Sequence, residues 1–580
     1  MNLPATSWME RLGRVVLGGL LMATLVGALR LDRTQRALVG DEATFAMQAE
    51  SLAFDFDLRY TRADYDRFVA TWQRPPDGLI LQTTDGGKTL TYGKPALYAL
   101  AIAPFVRLSP LRGAQVGNLL FLALAAWLVA RALRPVVGAA IPWWVACWIF
   151  ASVSFAYVTW EHAEVFLLAA TASGFALVYG VGEDEDQPAR GLPCRFALAG
   201  ALIAVVGASR IFYLALLAPL WLAIPRPRVG ARRAALIGGA LLVLTISGLG
   251  RIAAGGDWSG YGAERRGFYP RTGYPEVDFP ASEWPQVLAK LGNTSWTQEG
   301  AISWNRSPRL WAWDSWYFLV GRDIGVLPYF LPLLLGVFAF RRDRGRWAIP
   351  LAVLLAMSCF LLVRPHNFFG GVGAIGDRYF LPLYPALWFL AGRAGRVRSA
   401  IACAVLAAPF LWTLWRAPTM FPVAASGRYA YVSPAAEALL PYETSLSHLP
   451  GGEDVAQNGL WFRFVNDAVG REAERPWLRA GSTGEILIGS PAPLAEVRID
   501  FRPEVPATLE VSGARLVSVP GGPAGEFVVA FDRASARHPM WWTADDYYLY
   551  RLRLKVPPTA RLAAQVPFRI SPAIGDPAPN

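Results

Sequence analysis

The chain has 580 residues, 54% of them hydrophobic and 17% charged, with a mean hydropathy of +0.31. Soluble proteins carry about a quarter charged residues, so a purely soluble protein is excluded and a membrane protein is expected. The net charge of +11 would suit a nucleic-acid partner, but the arginines gather at the ends of apolar runs, which is a topological pattern, and nucleic acid is excluded.

A bilayer core is crossed by about 20 apolar residues as helix, and about eleven segments read as spans. They are 12–30, 114–133, 137–156, 164–181, 196–209, 211–225, 234–252, 317–340, 347–363, 379–392 and 399–415. The first resembles a signal sequence, but Arg30, Asp32 and Arg33 follow it in place of a cleavage site, so it reads as an uncleaved span. Short arginine-dense connections mark the cytoplasmic side. They are Arg11/Arg14, Arg131/Arg134, 183–195, Arg226 to Arg233, Arg341 to Arg346 and Arg393 to Arg398. The N-terminus is then cytoplasmic, and the loops 31–113, 253–316 and 364–378 are extracytoplasmic. Ser209-Arg210 is the only polar break between 196–209 and 211–225. Merging those two spans would move Arg226 to Arg233 outside, so they are kept apart.

After residue 416 the spans stop. Alternating segments follow, bounded by Gly and Pro: 484–489, 495–501, 508–512, 525–531 and 548–556. Period-two patterning of this kind predicts an antiparallel β-sandwich. The expected architecture is a mainly α, polytopic membrane protein over 1–416, followed by an extracytoplasmic, mainly β domain over 417–580. Trp541-Trp542 and Tyr547-Tyr548 offer faces on which a sugar could stack, though core packing accounts for them equally well. The four cysteines, Cys147, Cys194, Cys359 and Cys403, lie in apolar runs or on a short connection, so neither a disulfide framework nor a zinc site is implied.

Four features on the outer side could carry chemistry. Gly40-Asp41-Glu42-Ala43 reads as a helix start at the membrane surface, where an Asp can simply cap the helix. Two adjacent carboxylates beside a bilayer exceed what a cap needs. Either can act as a base toward a hydroxyl or amine, or bind a divalent cation. Lys94 is one of four lysines and precedes Pro95 at the start of an apolar helix. It can hold a lipid phosphate as a point charge, or snorkel to headgroups. The outer turn before the fourth span places Glu161, His162 and Glu164 together. They could line a cavity, and Asp41, Glu161 and His162 are candidate metal ligands; a satisfied surface histidine is the simpler alternative. Finally, the Gly-rich 364–378 ends in Asp377-Arg378-Tyr379, where Arg378 suits a phosphate or pyrophosphate or merely anchors the interface. Together with Arg210, these acids and cations share one face of the membrane.

The residues resemble the GT-C superfamily, and within it the bacterial membrane glycosyltransferases similar to protein O-mannosyltransferases and aminoarabinose transferases. The matching pieces are Gly40-Asp41-Glu42-Ala43 after the first span, Gly93-Lys94-Pro95, the acidic turn, Ser209-Arg210, and Arg378-Tyr379-Phe380-Leu381-Pro382. They run over residues 10–415, in order. The family's lysine element often reads Lys-Pro-Pro; here Ala96 follows Pro95. The resemblance implies inverting transfer of a sugar, hexose or pentose, from a polyprenyl-phosphate donor to a glycan, lipid or protein acceptor at the outer face of a bacterial inner membrane. It makes Asp41 the base, with Glu42 beside it. It assigns Lys94, Arg210 and Arg378 to the donor phosphate, and Glu161, His162 or Glu164 to a second acid or to a divalent metal ion. A transporter or flippase of lipid-linked sugars would use the same cations, but it predicts inverted repeats and ionisable groups at the midplane. Neither is visible in this sequence.

Overall fold

The computed structural model describes, in the main, residues 8–35, 38–180, 192–224, 229–258, 264–284, 308–338, 345–371, 375–390, 396–416 and 432–446, with the strands between 454 and 572. The connections 183–191, 226–228 and 341–344, much of the loop 253–316, Trp541-Trp542 and the tail 573–580 lie outside the described residues.

Among the described residues, four helical stretches are long and apolar enough to cross a membrane: Trp8–Arg30, Gly113–Phe150, Val229–Ala253 and Val397–Arg416. Five shorter apolar helices accompany them: Ala96–Leu108, Glu164–Tyr179, Pro193–Ser209, Ile211–Ala223 and Ala348–Val363. The expected count of about eleven is therefore not reached by helices of spanning length. Two expected segments differ most. The described residues of 317–340 are broken among Pro308–Val320, Val326–Tyr329 and Leu333–Phe338, and among the described residues of 379–392 only Tyr384–Trp388 is α-helical. Pro328, Pro332, Pro382 and Pro385 fall in these stretches, and each removes a backbone donor. The break at Ser209-Arg210 is present as expected: Arg210 is extended, with φ −152° and ψ 123°.

Helix Leu192–Ser209 packs on Val229–Ala253 through glycine. A Cβ on Gly200 would lie 1.8 Å from the Leu236 carbonyl oxygen, and one on Gly239 would lie 1.9 Å from that of Ala197. In lipid, apolar burial drives helix association weakly, and close backbone approach supplies the packing.

The loops 31–113 and 253–316 are folded where they are described. The first contains helices Asp41–Phe54 and Arg62–Trp72 and strands Leu79–Thr83 and Thr91–Tyr92. Strand Glu264–Phe268, from the second of these loops, pairs antiparallel with Leu79–Thr83, from Leu79↔Phe268 to Thr83↔Glu264. The two loops thus share one three-stranded sheet and one core, which includes Met47, Phe68, Trp72, Leu81, Phe268 and Trp284.

The C-terminal region has two six-stranded antiparallel sheets. The alternating segments supply strands Thr483–Ser490, Glu496–Phe501, Glu510–Ser512, Glu526–Ala530 and Asp546–Lys555. Ile486, Ile488, Val497, Ile499, Leu552 and Ile570 meet in their core. Period-two patterning sends one face of each strand inward.

The close approach of the two helices makes Gly200→Ala an overpacking change, with an expected cost of about 1–3 kcal/mol. Thermal unfolding of the detergent-solubilised protein should show a lowered Tm. An unchanged Tm would contradict the contact.

Candidate active site

Helix Asp41–Phe54 starts at Asp41 itself. Its N-cap is Gly40, at φ 59° and ψ −112°, and no side chain caps it. Positive φ with this ψ is glycine backbone. The capping alternative for Asp41 therefore fails, and its carboxylate is directed elsewhere. Lys94 follows strand Thr91–Tyr92. Its neighbour Gly93 donates to the Ile80 carbonyl at 2.9 Å, and Gln48 Nε2 donates to the Lys94 carbonyl at 3.2 Å. His162 lies in the turn before helix Glu164–Tyr179. Arg378 lies in a turn held by its amide to the Phe369 carbonyl at 3.1 Å and by the Gly376 amide to the Asp323 carbonyl at 2.7 Å.

These segments converge on Asp41. Lys94 Nζ pairs with Oδ1. His162 Nε2 lies 3.0 Å and Arg378 Nη2 3.3 Å from Oδ2. Arg378 Nε lies 3.3 Å from Glu164 Oε1, and Glu164 Oε2 contacts His162 Nδ1. Asp41 is 6% exposed, Lys94 7%, His162 3%, Glu164 4% and Arg378 2%. At these exposures Lys94 cannot be snorkelling, His162 is no surface histidine, and Arg378 is no interfacial anchor. Two carboxylates face two cations, as burial of charge requires.

The electrostatics follow from the crowding. Burial alone would raise the Asp41 carboxyl, but Lys94, the His162 hydrogen bond and Arg378 outweigh it and hold it well below the usual carboxylate range. Burial brings the Lys94 ammonium down to about 7; Asp41 opposes the fall, and Arg265 adds to it. Burial and then Arg378 push His162 down to about 3, so its imidazole is neutral at pH 7. Nε2 lies 3.0 Å from Asp41 Oδ2 and 3.2 Å from Arg378 Nη1, and the Ala163 amide lies 3.0 Å from Nδ1; the tautomer sets which of these are hydrogen bonds.

Other expected residues stand apart from Asp41. Glu161 is turned away: it pairs with Arg33, and the Gln115 amide donates to it. Arg33 also donates to the Thr159 carbonyl at 2.8 Å. Glu42 is buried one position after Asp41. Arg210 Cζ lies 4.0 Å from the Tyr379 ring, beside Arg378 but outside the ionic cluster. The proposed metal set of Asp41, Glu161 and His162 does not assemble. Both Asp41 oxygens face cations, and Glu161 is taken by Arg33. Among the described residues, no group of three or more His, Cys, Asp or Glu could hold a metal ion.

Arg33, Gln115 and Arg265 bear on the site with no motif in the sequence to mark them. Arg33 was visible only as a charge after the first span. Arg265 lies on Glu264–Phe268, and its Nε would be 3.1 Å from a Cβ on Gly93, next to Lys94. No local motif marks it, because the strand pairing alone brings it there.

The fold and the site together define a helical membrane protein whose folded loops help enclose a buried ionic site. No protein-family model matches the sequence, and no curated protein matches it. Two crystal structures of ArnT from Cupriavidus metallidurans are similar. The one bound to undecaprenyl phosphate matches at 16% identity and a TM-score of 0.38, over 65% of this chain and 59% of that one. The apo structure matches at 16% identity and 0.39, over 71% and 66%. The match thus spans less than two thirds of either ArnT chain. At this degree of similarity the comparison carries no functional argument, which must come from the side chains.

Arg33 and Glu161 are each buried to 2% exposure. Arg33→Leu strands the Glu161 carboxylate, and an unpaired buried charge costs about 3–5 kcal/mol. Arg33→Leu combined with Glu161→Gln should recover much of that loss. Tm values of the single and double variants check this, and additive losses would refute the pairing.

Proposed function

We propose that the protein is a membrane glycosyltransferase that moves a sugar from a polyprenyl-phosphate donor to an extracytoplasmic acceptor, a glycan, lipid or protein, with inversion, and that Asp41 is the base. The observation that carries this reading is the buried Asp41 carboxylate held by both Lys94 and Arg378. A proton acceptor and two phosphate-binding cations meet in one cluster, beside apolar helices suited to a lipid carrier.

In this reaction the acceptor oxygen or nitrogen attacks the anomeric carbon on the face opposite the phosphate. The carbon–oxygen bond to phosphate breaks, and the polyprenyl phosphate leaves with the bonding electrons. The acceptor proton passes to Asp41. Lys94 and Arg378 take up the charge on the leaving phosphate. His162 and Glu164 orient Arg378, and Arg210 extends the cationic side through Tyr379.

Before the donor arrives, the same cations make Asp41 a weak base. A donor phosphate competes for Lys94 and Arg378. As they turn to it, the carboxylate regains basicity, because nearby cations were what held its pKa down. Asp41 is then competent only when donor is bound. By this reading the chain lies in a bacterial cell membrane, with its N-terminus cytoplasmic and its outer loops and C-terminal region extracytoplasmic.

Asp41→Asn keeps the shape and removes the base. With a polyprenyl-phosphate sugar, its transfer rate should fall by about 10²–10⁴-fold. Undiminished transfer by a well-folded variant sinks the mechanism. Loss of lipid-linked sugar from one leaflet with no glycosylated product would favour transport instead.

The Lys94 value sets a pH window. Its charge is present below about 7 and lost above it. A polyprenyl phosphodiester sugar remains a monoanion over this range, so its affinity should weaken as pH rises through 7. Lys94→Arg, cationic throughout, should lack that slope. A pH-independent wild-type affinity would rule out Lys94 as the titrating cation.

A further inference from the structure

The residues that hold Arg378 in place lead out of the membrane region. Glu443 belongs to 432–446, the first described segment of the C-terminal region, and is 0% exposed. Its Oε1 accepts the backbone amides of Asp323 at 2.7 Å and Ile324 at 3.0 Å. Beside it, the Pro441 carbonyl accepts the Arg322 amide at 3.0 Å. The approach leaves no space: a Cβ on Gly321 would lie 2.3 Å from Glu443 Oε1. Residues 321–325 are the break between helices Pro308–Val320 and Val326–Tyr329, where backbone donors lose their helical partners. Glu443 satisfies two of them from another domain.

The contacts continue inward. The Asp323 carbonyl accepts the Gly376 amide at 2.7 Å, two residues before Arg378. The adjacent Ile375 carbonyl accepts the Tyr157 hydroxyl at 2.8 Å. An unbroken series of hydrogen bonds and peptide units thus runs from the Glu443 carboxylate to the backbone of Arg378. A buried carboxyl group is a costly way merely to fill space, since an apolar side chain of similar size would do so without desolvating polar atoms.

We propose that Glu443 is a positioning residue: by fixing the backbone at 321–324 it fixes Gly376, and so sets the guanidinium of Arg378 where it meets Asp41 and the donor phosphate. This rests on the reading of Arg378 as a donor-phosphate ligand. It makes the C-terminal region part of the catalytic unit through one buried side chain.

The test is a double-mutant cycle on the full-length protein in nanodiscs, with affinity for undecaprenyl phosphate as the readout. Coupling through such networks amounts to about 2- to 30-fold, so Glu443→Ala should weaken binding within that range. Glu443→Gln retains an acceptor oxygen for the two amides and should bind nearly as the wild type does. In an Arg378→Ala background, Glu443→Ala should cause no further loss. Glu443→Ala that binds normally, or that adds its full factor on top of Arg378→Ala, overturns the proposal. If Glu443→Ala does not fold, Gly321→Ala displaces the carboxylate without removing it and takes its place in the same cycle. Wild-type affinity in Arg378→Ala alone would overturn the donor-phosphate reading itself, which separates the two failures.

Discussion

Asp41 keeps a negative charge in the protein interior because Lys94, Arg378 and His162 surround it. A buried carboxylate without such partners would take up a proton or force the surrounding structure to rearrange. The requirement is mutual, since Lys94 and Arg378 are equally buried. Four segments far apart in the chain must therefore meet at one point: the start of the first outer-loop helix, the end of the second strand, the turn before Glu164–Tyr179, and the Gly-rich turn at 376–378.

Each segment is held by contacts that the cluster does not supply. The Lys94 backbone is anchored to Gln48, and its neighbour Gly93 to the sheet that joins the two outer loops. The turn at 159–162 is anchored from behind by Arg33 and Gln115, which engage Glu161 on the side away from Asp41. The acidic turn thus divides its labour. His162 and Glu164 face the cluster, whereas Glu161 ties the turn to the end of the first helix. A second buried ion pair placed so near is a specificity device as much as a stabilising one, because truncating either partner leaves an uncompensated charge.

The weakness of Asp41 as a base in this arrangement is consistent with its proposed role. A strongly basic carboxylate beside water and a reactive donor would invite hydrolysis. Cations that leave Asp41 for phosphate couple basicity to the presence of donor, through the same electrostatics that stabilise the empty site. Neutral His162 suits this exchange, because it holds Asp41 by a hydrogen bond without adding a third positive charge.

Much of this was legible in the sequence. Apolar length marked most of the helices, and period-two patterning marked the C-terminal strands, because both are local properties of a chain segment. Asp41, Lys94, His162, Glu164 and Arg378 stood out as ionisable groups beside apolar runs, where charge is costly. Their simpler alternatives could not be dismissed from the sequence, since cap, snorkel and anchor differ from a buried site only in where the side chain goes. Tertiary structure decided that, and it placed Glu161 with Arg33, split 317–340 into short helices, brought Arg265 beside Lys94, and set Glu443 on the helix break at 321–325. Those outcomes depend on pairing between segments more than a hundred residues apart, and on a backbone donor at Asp323 or Ile324 finding its acceptor on Glu443. No periodicity or motif in a linear sequence encodes such a partner, because the partner exists only once the chain has folded.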